Sequence, residues 1–247
     1  DLTDANLTGV DLSGRDLTDT ILRGMDLSGR DLTGTILRGA DLTDANLTGV
    51  DLSGRDLTGT ILRGADLSDK DLTGTILHGA DLTDTVLPSG YLVGNNFNHT
   101  IFNGVDLSGK DLNYSQFYRA NFVDVNLENT NLVDASFVDM DLTKIKNKSL
   151  AGADLGITSF AHSNLSGVNL AGANLIQSIN FWNTNLSDVD FTLTNTMASG
   201  SVFLGSNLSN SNFEGLDLSP DIGHLITFKN KAYLMHGVTE PPDTNSD

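Results

Sequence analysis

Leu or Phe recurs at every fifth position from Leu2 to Leu142 without a break, which makes 29 consecutive five-residue units. This period fits neither the 3.6 of an α-helix nor the 2 of a flat strand. It demands a backbone that turns a corner every five residues. The register slips by three residues to Leu150, Leu155, Phe160, Leu165, Leu170 and Leu175, then by one to Phe181, Leu186 and Phe191. It returns as Phe203, Leu208, Phe213 and Leu218.

The positions around each centre explain the turning. Asp or Asn usually stands just before it (Asp11, Asp16, Asn46, Asp66), and such side chains bond their own backbone in turns. Glycine is frequent two residues after it (Gly9, Gly14, Gly24, Gly39), where a corner needs backbone angles other residues resist. Two residues before the centre the side chain is commonly small (Ala5, Thr20, Thr35, Ala40, Ala45, Ala65, Ala80). A narrow interior calls for this alternation of large and small.

Units such as Ala5-Asn6-Leu7-Thr8-Gly9 and Ala65-Asp66-Leu67-Ser68-Asp69 resemble the pentapeptide-repeat family, and the resemblance runs from residue 1 to about 219. It implies an all-β fold, a right-handed quadrilateral β-helix of about ten coils. Four units make one coil, and the central Leu or Phe and the residue two before it face inward. Such a coil is not stable alone and depends on stacked neighbours. Residues 220–237 follow Pro220, break the period and are expected to cap the open end; a homodimer through 222–236 is the alternative. Residues 238–247 read as a tail.

Residues 1–40 and 41–80 agree at 35 of 40 positions. Forty residues are two whole coils, so this internal duplication keeps each residue on its side. Phe is absent before Phe97 and frequent after it, which predicts a core that widens or loses its small partners. The extra residues at Lys144–Ser149 and Thr192–Val202 predict bulges or loops.

Assigning units to four sides in turn lets outward residues be read as columns. Asp11, Asp31, Asp51, Asp71 and Asp111 share one column, interrupted by Tyr91. Ile21, Ile61 and Ile101 fall on a second side, Ile36 and Ile76 on a third, each where the repeat usually has Asp or Asn. These isoleucines are expected to be exposed and, with the aspartates, are the candidate partner-binding residues. Arg15, Arg30, Arg55, Lys70 and Lys110 occupy the inward small position. A charge is not buried there unpaired, so the heads are expected to reach water or a nearby Asp.

The net charge is −18, and 23 acidic against 9 basic residues lie within 1–142. Direct binding to nucleic acid is therefore disfavoured, because the phosphate term is repulsive. A basic or DNA-binding protein is the natural partner. The chain has no cysteine and no long apolar run, so disulfides, thiolate metal sites and a membrane-spanning segment are not expected. His78, His99, His162, His224 and His236 are scattered, and no phosphate-binding glycine loop occurs. No catalytic, cofactor or metal site is expected, and the chain reads as non-enzymatic.

Two functions follow. One is a protein-binding module, as the repeat domain of a bacterial secreted effector, with a targeting segment expected upstream of Asp1. The other, implied by the resemblance to gyrase-interacting relatives, is a DNA mimic that binds DNA gyrase or another topoisomerase. These place the protein in the bacterial cytoplasm or in a host cell.

Overall fold

The structure, a computed structural model, describes residues 1–2, 7, 10–90, 92–194, 196–197 and 201–214. The expected cap at 220–237 and the tail lie outside the described residues.

Each unit is a short extended segment followed by a β-turn. The Asp or Asn before the centre accepts a hydrogen bond from the backbone N–H two residues on: Ser13 to Asp11 at 2.9 Å, Thr33 to Asp31 at 2.8 Å and Thr73 to Asp71 at 2.8 Å. The centre carbonyl accepts from the N–H three residues on, as in Arg15 to Leu12 (3.1 Å). The turn's third residue has positive φ, 66° at Gly14 and 66° at Gly39, the position where glycine is favoured.

Stacking closes the coil at twenty residues. Leu22 N–H donates to Asp41 O (2.7 Å), and Asp41 N–H donates to Thr20 O (2.9 Å). Parallel bridges link Ile21 to Asp41, Asp41 to Ile61 and Ile61 to Asp81. The four sides take their names from the centres of coil 11–30: Leu12, Leu17, Leu22 and Leu27. The result is a solenoid of four-sided coils with the centres inside, and Leu22, Leu62, Leu82 and Leu107 are fully buried.

After Phe97 the Leu17 side changes from leucine to an aromatic stack. Ring centroids of Phe97, Phe117, Phe137, Phe160, Phe181 and Phe203 follow one another at 5.3, 4.7, 5.4, 5.6 and 5.1 Å. Of the two expected outcomes, a wider core or lost small partners, the loss is seen at Phe181, whose partner is the buried Ile179; Ser115, Ala135, Thr158 and Ser201 stay buried beside four of the other rings. Stacking at coil spacing lets aromatic rings replace leucines without emptying the neighbouring position.

The inward hydroxyls have a constant role. Thr35 Oγ1 donates to Leu12 O (2.8 Å), Thr75 to Leu52 O (2.9 Å) and Thr100 to Leu77 O (2.7 Å), each reaching the centre carbonyl one coil below. The basic residues at the same position partly take over this role. Arg55 donates to Leu32 O at 2.5 Å and Asp51 O at 2.6 Å. Lys110 donates to Leu87 O and Pro88 O at 3.0 Å each, and Arg30 to Val10 O at 3.2 Å. Only Lys70, buried along its length, turns to a carboxylate, Asp69 at 2.8 Å. The heads expected at water or Asp thus mostly end on backbone carbonyls, which a long donor reaches more directly from the corner.

These cations coincide with gaps in the stack. Among the described residues, ten backbone hydrogen bonds join coil 11–30 to coil 31–50, and nine join 51–70 to 71–90. Four join 31–50 to 51–70, and four join 71–90 to 91–110, all along the Leu22 side and the corner before it. Arg55 and Lys70 stand in the first sparse seam, Lys110 in the second. The well-bonded seams carry Thr35 and Val50, or Thr75 and Gly90, at the corresponding corners. The first eighty residues are therefore plates of two coils, in step with the forty-residue duplication.

The three residues inserted after Leu142 are taken up in two 3-10 turns, Leu142–Lys144 and Lys146–Lys148. Ile145 stays in the core while Lys146, Asn147 and Lys148 are exposed. Of the second insertion, Thr196–Met197 (β2) pairs in parallel with Asn174–Leu175 (β1). The rest of that insertion is only partly within the described residues.

Candidate functional site: an acidic side

On the Leu12 side the aspartates that make the turns use one oxygen for the backbone and leave the other outward. Asp11, Asp31, Asp51 and Asp71 are all exposed, and none joins an ion pair among the described residues. The Ser13 hydroxyl and amide hold the Asp11 carboxyl below its ordinary pKa, and Ser53 does the same for Asp51. Thr33 lowers Asp31 against the opposing charge of Asp11. All three are ionised at neutral pH. Asp111, assigned to the same column, is half-buried and accepts a bond from Asn131 Nδ2 at 2.8 Å. It ends the column rather than extending it.

The ladder between coils is missing along this column. No bridge joins Asp11 to Asp31, Asp31 to Asp51 or Asp51 to Asp71. It resumes at Asp111 and Asn131, with Leu112 N–H on Asn131 O at 2.9 Å. Like charges directly opposite across a ladder repel; an amide facing a carboxylate bonds instead. On the Leu27 side Asn46 Nδ2 donates to Asp26 Oδ1 (3.0 Å) and this step is bridged, whereas Asn46 and Asp66, which face each other across the sparse seam, form no bridge.

The isoleucines divide. Ile36 and Ile76, on the Leu17 side, are each 44 % exposed. Ile21, Ile61 and Ile101, expected to be exposed, are half-buried. They sandwich Asp41 and Asp81, which are buried and paired to Arg23 at 2.5 Å and Arg63 at 2.6 Å. Isoleucine and arginine stems cover the carboxylates and are covered in turn. Asp41 and Asp81 of the Leu22 side are thus neutralised, whereas the Leu12 aspartates, Asp26, Asp66 and Asp106 of the Leu27 side, Asp16 of the Leu17 side and the corner residues Asp44, Asp84 and Asp124 join no ion pair among the described residues.

Three histidines that look scattered in sequence come together with aromatic neighbours by coil spacing. His78 and His99 lie 5.3 Å apart between ring centroids, His99 and Tyr118 5.3 Å, and His162 and Trp182 4.6 Å. All sit one or two residues after a centre of the Leu17 side. Reading those two offsets together, as was done for the single position before the centre, would have found them. Among the described residues no group of His, Cys, Asp and Glu could hold a metal ion, and no helix is long and apolar enough to cross a membrane.

A coil of five-residue sides, turned by Asx bonds and left-handed corners, defines a β-helical repeat solenoid. The chain belongs to the pentapeptide-repeat family: it matches Pentapeptide repeats in eight copies spanning residues 1–24, 16–54, 26–64, 51–87, 91–129, 120–144, 149–192 and 192–219. No curated protein sequence matches it. Among solved structures it is similar to HetL of the cyanobacterium Nostoc sp. strain PCC 7120, a pentapeptide repeat protein involved in heterocyst differentiation regulation. That match has 24 % identity, 88 % of this chain, 95 % of the other and a TM-score of 0.33. It is also similar to QnrB1, a plasmid-mediated fluoroquinolone resistance protein (20 % identity, 81 % and 87 % coverage, TM-score 0.28). A third is a pentapeptide repeat protein of the Arabidopsis thaliana thylakoid lumen (23 % identity, 50 % and 72 % coverage, TM-score 0.22).

Proposed function

We propose that this chain is a non-enzymatic, protein-binding rod, a right-handed quadrilateral β-helix of about ten coils, that sets its acidic Leu12 side against a basic partner protein. The repeat domain of a bacterial secreted effector is one setting for such a rod. The observation that carries this reading is the run of four exposed, unpaired aspartates, Asp11, Asp31, Asp51 and Asp71. Attraction of this kind acts mostly through charge and weakens with salt. The test compares a D11N/D31N/D51N/D71N variant with a charge-matched D19N/D44N/D84N/D124N control, using a decalysine probe. The control residues are corner positions where Asn tolerates positive φ. The column variant should lose about tenfold or more in affinity at low salt and the control much less. Equal losses would show that no side is preferred.

A second reading, mimicry of DNA toward DNA gyrase, rests on charge density. Residues 11–90 hold 14 aspartates and 7 arginines and lysines. With roughly 4.8 Å per coil this is about one net charge per 2.7 Å of axis, against about 1.7 Å in duplex DNA. Inhibition of gyrase supercoiling at micromolar protein and low salt, lost in the column variant, would favour mimicry over the general docking role.

A further inference from the structure

The corner that follows the Leu17 side changes character along the rod. Two residues after the centre stand Asp19, Gly39, Gly59 and Gly79, and then, with no glycine until Gly205, His99, Arg119, Asp139, His162 and Asn183. All five later residues keep the left-handed backbone, with φ of 60°, 52°, 56°, 60° and 51°. Side chains are disfavoured there, an arginine more than an Asp or Asn. An observed backbone outlier is a reason to look for function.

These side chains border a shallow groove of about 560 Å³, with Arg119, Asp139, His162 and Asn183 in its wall. Aromatic rings adjoin two of its wall residues: Arg119 lies 5.0 Å over the Tyr118 ring, and the His162 ring meets that of Trp182, which is 43 % exposed, at 4.6 Å. Arg119 places both Nε and an Nη 3.2 Å from Asp139 Oδ2. Asp139 Oδ1, Asn183 Nδ2 and the Trp182 indole N–H make no hydrogen bond with a described residue, while Asn183 Oδ1 lies over the Gly205 backbone of the next coil.

The lining has one guanidinium ion-paired to Asp139 and a second carboxylate, Asp141, beside Lys144 at 3.4 Å. An anionic ligand would meet both aspartates and a chain of net charge −18. A lipid would find Met140 as the only large apolar side chain in the lining. An uncharged ligand with apolar ring faces and many hydroxyls uses everything present. Its C–H faces suit the exposed Trp182 ring, and its hydroxyls suit the Asp139 carboxylate oxygen, the Asn183 amide N–H and the indole N–H. We infer that this corner, from Tyr118 to Asn183, is a binding site for a neutral oligosaccharide. It is independent of the acidic side.

Trp182 is the chain's one tryptophan, so its indole N–H gives a single NMR signal inside the site. Titration to millimolar cellotetraose, maltotetraose and chitotetraose should move that signal for at least one sugar, with matching calorimetric affinity. Trp182→Ala should abolish the calorimetric signal. Asn183→Gly and His162→Gly relieve left-handed backbone and so keep the fold; each should weaken binding about tenfold or more with an unchanged or raised melting temperature. If none of the three sugars moves the indole signal, the proposal is overturned and the rings are left to a protein contact. Binding that persists unweakened in both glycine variants also overturns it, because the sugar then sits elsewhere.

Discussion

The sparse seam between coils 31–50 and 51–70 offers a direct test of what holds the rod together. The double substitution Arg55→Thr with Lys70→Val gives this seam the corner residues of the seam below, Thr35 and Val50. The introduced threonine hydroxyl is then placed to donate to Leu32 O, as Thr35 does to Leu12 O at 2.8 Å. If the cations are the wedge, the seam should close from four backbone hydrogen bonds toward the ten of its neighbour. Six bonds at ~0.5–1.5 kcal/mol each come to ~3–9 kcal/mol of added coupling between plates. Losing the bonds that Arg55 and Lys70 make themselves offsets part of it. The amides of Leu37, Leu47, Asp56 and Asp66 report the change, because their counterparts Leu17, Leu27, Ile36 and Asn46 are bonded across the seam below. Hydrogen exchange by NMR should show these four slowing by about a hundredfold or more, since each ~1.4 kcal/mol is tenfold. Leu57 and Leu67, already bonded to Ile76 and Val86, serve as controls and should change little. Unchanged exchange at the four seam amides would refute the wedge and leave the forty-residue plates without a cause.

Phe137 stacks on Phe117 at 4.7 Å and Phe160 at 5.4 Å, so Phe137→Ala should destabilise by ~4–6 kcal/mol, from truncation and two lost ring contacts. Phe137→Leu, which keeps apolar bulk and loses the stacking, should cost less than half as much in denaturant unfolding; a cost near zero would show that stacking adds nothing. Acid should weaken the fold through Asp41 and Asp81. Burial raises both carboxyls, but Thr43 with Arg23, and Thr83 with Arg63, more than reverse it, so both end below their ordinary value. A depressed carboxylate contributes stability that is complete above its unfolded pKa of ~3.9 and is lost as pH falls through the folded value. Melting temperature should therefore drop below about pH 4 and drop less in an Asp41→Asn/Asp81→Asn variant.

The fold was legible because its signal is local and repeated. A centre every five residues, an Asx bond before it and a left-handed residue after it are all written in single positions, and the twenty-residue coil follows. What the sequence hid is set between coils. Ile21, Ile61 and Ile101 look exposed one unit at a time, yet each lies against buried Asp41 or Asp81 of an adjacent coil. The inward cations were expected at water or a nearby Asp, but for Arg30, Arg55 and Lys110 the acceptors within reach of the corner are carbonyls of the coil below. The row formed by His78, His99, Tyr118, His162 and Trp182 escaped notice because its members alternate between one and two residues after the centre, so no single offset lines them up, and the slips after Leu142 shift the later ones further. The plates were half visible, since the duplication marked their length but not the bonds that separate them.

The Leu12 side bears on whether its aspartates serve the turn alone. Asn makes the same turn bond: Thr48 N–H to Asn46 Oδ1 is 3.1 Å, and Val133 N–H to Asn131 Oδ1 is 3.2 Å. Asn in the later coil also bonds the carboxylate below it, and both such steps, Asp26–Asn46 and Asp111–Asn131, are bridged. If corner geometry were the whole explanation, Asn at positions 31, 51 and 71 would make the turns and favour closing the ladder. Asp makes the turns, and all three Asp–Asp steps are left unbridged. The opposite, Leu22 side is bridged continuously from Ile21 to Asn121, so the stack is held from behind while the acidic side goes without its bonds. At the Asp11–Asp31 and Asp51–Asp71 steps, which lie in otherwise well-bonded seams, carboxylates that forgo hydrogen bonds between coils fit the proposed charged surface better than the turn alone. On this argument Asp31→Asn and Asp71→Asn should each raise protection of the adjoining amides, residue 31 and Leu12 for the first, residue 71 and Leu52 for the second, while weakening attraction to a basic probe. If the substitutions leave both exchange and attraction unchanged, the aspartates are turn formers and nothing more.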